Sequence, residues 1–134
     1  MTHALRVAED GAAFRSLFAA IRERGERAGW LELGAPPRAG GAIDGTVDDG
    51  AWKVVAVEPD RSVAVKTRRG PAVLRDLMRE HFGGCRLVLV RGDAELPALR
   101  PRDDGWEVVG LDGEVRRFTT AELLRALRSP HLRS

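Results

Sequence analysis

Phe14, Leu17, Phe18 and Ile21 fall at i, i+3, i+4 and i+7, and Arg15, Arg22, Glu23, Glu26 and Arg27 cover the other faces. That pattern is one apolar stripe on a helix. Asp10 is its expected N-cap, and Gly25 and Gly29 weaken its last turns, so the helix is expected to run to about Ala28. Trp30 to Leu33 reads as a short strand. After it, residues 34–50 hold so much glycine and proline that neither a helix nor a central strand is expected, apart from an edge strand at Ala42 to Val47. A loop of that length in a compact domain is either mobile or functional.

Alternation then takes over. Trp52 to Glu58 and Arg61 to Thr67 flank Pro59-Asp60, a turn with proline where a type I turn prefers it. Val54, Val55, Val57, Val63 and Val65 place apolar groups on both faces, so this hairpin is expected to be covered twice in part. Pro71 suits the first turn of a helix, and Val73, Leu74, Leu77, Met78 and Phe82 give that helix an apolar face before Gly83-Gly84 stops it. Arg86 to Val90 reads as a buried strand, and residues 93–104 as a connection with an extended piece at Leu96 to Leu99. A second hairpin, Trp106 to Gly110 and Glu114 to Phe118, turns at Asp112-Gly113. Thr119 and Glu122 have capping-box spacing, opening a helix that buries Leu123, Leu124 and Leu127.

Trp52 to Met78 and Trp106 to Arg128 thus echo one another as two ββα units. The expected fold is a single α+β domain over residues 1–134, with termini frayed at 1–9 and 129–134. Its order is α-β-ββ-α-β-ββ-α, with three helices covering a mainly antiparallel sheet built from the hairpins plus extra strands. That order is like the order in several dimeric adaptor and secretion-chaperone folds, although such chaperones are typically acidic and this chain is not.

Composition narrows the function classes. The chain has 134 residues, enough for a core without staples, with 43% hydrophobic and 31% charged residues, as in an ordinary soluble globule. Its one cysteine, Cys85, excludes an intramolecular disulfide and suits a reducing compartment. The N-terminus lacks the apolar core of a secretory signal, and no apolar run approaches a membrane span. A cytoplasmic protein with no membrane partner is expected. Net charge is only +2, but lysine is confined to Lys53 and Lys66 and every other basic residue is arginine. A GC-rich bacterial genome writes such a bias, and arginine's planar fork also suits anions.

Few residues suggest chemistry. Gly83 and Gly84 break the geometry that would pair His81 with Cys85, so Cys85 reads as structural and no catalytic residue is expected. Three histidines and one cysteine build no standard metal site, and Asp44, Asp48 and Asp49 read as turn acids; no metal or cofactor is expected. The sharpest candidate is an anion site at the strand-to-helix corner 66–79. There Lys66, Arg68 and Arg69 precede a helix start whose N–H groups are unpaired, and Arg75 and Arg79 follow one turn apart. The expected function is a small non-catalytic interaction module, adaptor or chaperone-like, that binds another protein or itself as a homodimer. The alternative is anion or nucleic-acid binding through the 66–79 corner.

Overall fold

His3, Leu5 and Val7 alternate with Ala4 and Arg6, and the first three are buried. They form β1 (His3–Val7), the strand at the heart of the larger sheet, where a frayed terminus was expected. In this computed structural model, residues 2–33, 53–66, 68, 70 and 73–128 are described. Residues 34–50, Pro71 and 129–134, and the expectations placed on them, lie outside that set. By their contacts the residues fall into two units, Met1–Gly34 with Met78–Ser134, and Ala35–Leu77.

In the larger unit Asp10 caps a 3-10 turn, Gly11–Phe14, its carboxylate accepting from the Ala12 N–H at 3.1 Å. The turn leads into α1 (Arg15–Glu23), shorter than the expected helix because the chain leaves at Arg24 and takes a left-handed conformation at Gly25, φ +71°. Then come β2 (Ala28–Glu32), β5 (Leu87–Arg91), β6 (Ala98–Arg102), β7 (Gly105–Val109), β8 (Val115–Phe118) and α3 (Thr120–Ala126). The smaller unit holds β3 (Lys53–Val57) and β4 (Ser62–Lys66), and α2 (Leu74–His81) begins in it.

The six-stranded sheet runs β2-β5-β1-β6-β7-β8 and is mixed. The parallel pairs are β5 with β1, β5 with β2, and β1 with β6; the β6-β7 and β7-β8 pairs are antiparallel. This corrects the expectation of a mainly antiparallel sheet. The cause is β1: α1 returns the chain from β1 to a parallel β2, and β5 slots between them. Leu87, Val88, Leu89 and Val90 are fully buried, as suits a parallel strand covered on both faces. On one of those faces the Phe82 ring lies against Gly29, where an added Cβ would come within 2.5 Å of it.

The opposite face carries the core. Leu5, Leu87, Leu89, Leu99, Trp106 and Val108 pack under Phe14, Leu17 and Ile21 of the first helical segment and Leu123, Leu124 and Leu127 at the last. Phe14 stacks on Trp106 at 5.8 Å and meets Trp30 at 6.0 Å. The Trp106 indole N–H donates to Thr120 Oγ1 at 3.0 Å, so its polar tip is satisfied in the core. The capping box forms as the spacing predicts, with the Thr119 hydroxyl accepting from the Glu122 N–H at 3.2 Å and Glu122 accepting from the Thr119 N–H at 3.0 Å.

The two hairpins belong to different sheets: β3-β4 is a two-stranded sheet by itself, while β7-β8 closes the larger one. The extended piece expected at Leu96 to Leu99 meets β6 only at Ala98 and Leu99; the strand runs on to Arg102, and its antiparallel partner is β7. β6 touches β1 at one rung, Arg6 with Ala98, and Ala98 is its first residue. The rest of β6 therefore runs past the end of β1, and Pro101 breaks no rung there. Among the described residues no helix is long and apolar enough to cross a membrane.

Candidate binding site

Strand alternation sends Leu99 and Val108 into the core and the residues between them to the other face. On that face the register sets Arg100 of β6 opposite Glu107 of β7, and Glu107 opposite Arg117 of β8. Arg102 lies two residues along from Arg100 on the same face. Three strands thus place three arginines around one glutamate.

Glu107 is 4% exposed, an unusual setting for a carboxylate, and it stays there because cations surround it. Arg102 grips it with a two-pronged fork, Nε to Oε2 at 3.0 Å and Nη2 to Oε1 at 2.8 Å. Arg117 stands off at 3.8 Å and Arg100 at 3.9 Å, beyond hydrogen-bond reach. The bond from Arg102 holds the Glu107 carboxyl below its ordinary pKa; desolvation opposes this, and the charges of Arg102, Arg117 and Arg100 add to it. The same bond holds Arg102 more firmly protonated. The Glu107 carboxylate is spent on Arg102, so the cluster keeps a surplus of positive charge. Arg117, its side chain 83% exposed, carries that surplus farthest into solvent.

β8 ends the sheet. The Gly110 N–H donates to the Glu114 carbonyl at 2.8 Å, which makes that pair a hydrogen-bonded one. Alternation then makes 108/116 and 106/118 hydrogen-bonded, with 107/117 and 109/115 the close non-bonded pairs. The backbone N–H and C=O of Val115 and Arg117 accordingly point away from β7, toward the open edge. The loop that fixes this register closes with a Gly113 N–H to Gly110 carbonyl bond at 3.0 Å, and Gly113 takes φ +85°. This is the three-residue hairpin in which glycine supplies the left-handed position. A cleft of about 580 Å³ opens beside the cluster, lined by Arg102, Arg117, Asp103, Asp104, Trp106 and Glu122. With acids and bases both present, it is no pure anion funnel.

A second carboxylate, Glu26, accepts from Arg86 and, at 3.1 Å, from Arg128, and these bonds keep its pKa low against the cost of burial. This tie fastens the end of α3 to the entry of β2.

The expected corner is placed less completely. Lys66 ends β4, Arg68 follows it exposed, and Arg69 lies outside the described residues. Arg75 and Arg79 stand one turn apart on α2, both exposed, and Arg75 is 4.0 Å from Asp76. Lys66, Arg68 and Arg75 belong to the smaller unit and Arg79 to the larger. Cys85 is half-buried; its N–H donates to the Phe82 carbonyl, and its own carbonyl accepts from Thr2 Oγ1 at 2.6 Å. His81 faces Glu80 at 3.7 Å. Among the described residues no three His, Cys, Asp or Glu side chains come together as metal ligands.

Sequence reasoning missed the Arg100, Arg102, Glu107 and Arg117 cluster because residues 93–104 read as a connection. One signal was present: the turn at Asp112-Gly113 fixes the register that sets Glu107 against Arg117. Neither protein-family models nor curated proteins match the chain.

Proposed function

We propose that this chain is a small non-catalytic interaction module, adaptor or chaperone-like, that works in the cytoplasm by binding another protein or a second copy of itself. The observation that carries this reading is the β3-β4 ribbon. A two-stranded sheet is marginal in water without further cover. This one leaves Val55 53% and Val57 78% exposed on one face and Val63 40% exposed on the other. Apolar groups of that size, on a ribbon whose two edges pair with no other strand among the described residues, suit a strand-adding or face-covering partner.

The test is a photo-reactive residue placed at position 55, 57 or 63 in turn and irradiated in living cells. The expected result is one discrete adduct, heterologous or dimeric, lost when Val55 and Val57 are both replaced by Asp. No adduct from any of the three positions overturns the reading.

The alternative reading is anion or nucleic-acid binding at the 66–79 corner, supported by the exposure of Arg68, Arg75 and Arg79. Its mark is binding of labelled DNA or RNA that falls log-linearly with salt and vanishes in the Arg68→Ala/Arg69→Ala variant. Absence of binding at low salt removes it.

A further inference from the structure

We infer that the open edge of β8 is a docking strand for an extended acidic segment of a partner protein, with a carboxylate side chain opposite Arg117 and an apolar side chain opposite Val115. The inference rests on the protein-binding reading above and gives that partner a chemistry and a second place to dock.

Three observations carry it. The first is the backbone. Val115 and Arg117 are the β8 residues whose N–H and C=O groups face outward, so an added strand would bond to those two residues. The second is the row of charges. Across β6, β7 and β8 the side chains read Arg100, Glu107, Arg117 in register, positive, negative, positive. A fourth strand continues that alternation with a negative side chain. Arg117 has donors left to receive it, because Arg102 holds both oxygens of Glu107 while Arg117 meets that carboxylate only as an ion pair at 3.8 Å and is 83% exposed. The third is the neighbouring row. Ala98, Val109 and Val115 lie opposite one another on the same face, and Val115 is 51% exposed at the end of the row. An incoming strand with an acidic residue at one position and an apolar residue two away matches both rows, because side chains alternate with period two.

The same residues disfavour a second copy of this chain. In the two antiparallel registers that let the outward backbone groups pair and that overlap three of the four β8 residues, a copy sets Arg116 against Arg116 or Arg117 against Arg117. Like charges directly opposite destabilise a strand pair. A lysine-bearing strand meets the same repulsion at Arg117.

The experiment uses the full chain, isotope-labelled for NMR, and three ten-residue peptides of one alternating pattern. Threonine fills every second position, and the positions between alternate valine with Glu in the first peptide, Gln in the second and Lys in the third, so that a charged or amide side chain and a valine stand two residues apart on one face. The Glu peptide is expected to shift and protect the amides of Val115 and Arg117. It should bind about tenfold more tightly than the Lys peptide and weaken as salt rises. Arg117→Glu should reverse that order, so that the Lys peptide binds the variant best. The reversal cannot come from misfolding, because it is a gain. Equal binding of all three peptides at β8 overturns the acidic preference while leaving strand addition and the interaction reading in place. Glu-peptide shifts confined to residues 53–66 overturn the β8 site and leave the ribbon reading standing. No shift from any peptide overturns the β8 inference, and the interaction reading falls only if the cross-links at 55, 57 and 63 fail as well.

Discussion

Phe14 is the residue on which the hold of the first helical segment over the sheet can be measured. It is fully buried, stacked on Trp106 at 5.8 Å with 16° between the rings, and 6.0 Å from Trp30. Phe14→Ala removes a whole aromatic side chain from a closed core, which costs roughly 3–5 kcal/mol including the cavity left behind. The stacking geometry with Trp106, about 0.5–1.5 kcal/mol of that, places the loss at the upper end of the range. A total near 5 kcal/mol is a large share of the roughly 5–15 kcal/mol that holds an ordinary domain folded. With a urea dependence of about 2 kcal/mol per M, the unfolding midpoint should drop by about 2–3 M. Phe14→Leu refills most of the space and forfeits the ring contacts, so it should cost about 1–2 kcal/mol. Urea titrations followed by far-UV circular dichroism measure both. A loss under about 1 kcal/mol for Phe14→Ala would refute the argument, since no fully buried phenylalanine gives up its contacts so cheaply.

Other consequences follow from local geometry. An added Cβ at Gly105 would run into the carbonyl of Phe118, a backbone atom that cannot swing aside, so Gly105→Ala should cost roughly 1–3 kcal/mol by urea titration and disturb the β7-β8 amides in NMR spectra. Thr119→Ala deletes the side-chain half of the capping box and should cost about 1 kcal/mol, while Thr119→Ser should be nearly silent in thermal melts. Glu26 and Glu107 both have folded pKa values below the ordinary 4.5. Each therefore adds stability that is fully present above about pH 4.5 and is lost as pH falls through the folded value. Urea midpoints from pH 6 to pH 2 should decline, and Glu107→Gln should decline less steeply over that range; an unchanged slope would contradict the role given to Arg102.

What the sequence made legible was local. The stripe from Phe14 to Ile21, the turn at Asp112-Gly113 and the Thr119–Glu122 box each depend on residues a few positions apart, and each formed where the pattern placed it. What it hid was pairing at long range. His3–Val7 is five residues with a histidine and an arginine among them, too short and too polar to announce a central strand. Only its partner betrays it: Leu87–Val90 is apolar without alternation, the mark of a strand covered on both faces, and such a strand needs neighbours on each side. Gly25 shortened the first helix because a left-handed residue ends a helix outright, where the spacing alone allowed one more turn. The arginine cluster was hidden for the same reason as β1. Arg100 and Arg102 acquire a meaning only once β6 is known to lie beside β7.

The placement of β1 also sets a schedule for the newly made chain. His3 through Val7 pair with Leu87 through Arg91, so the sheet cannot close around its middle strand until about two thirds of the chain has left the ribosome. At roughly 5–20 residues per second, Leu5 and Val7 wait some seconds with both strand edges unpaired. Slow synthesis of residues 8–86 therefore lengthens the interval in which the unpaired edges of β1 can capture the wrong strand.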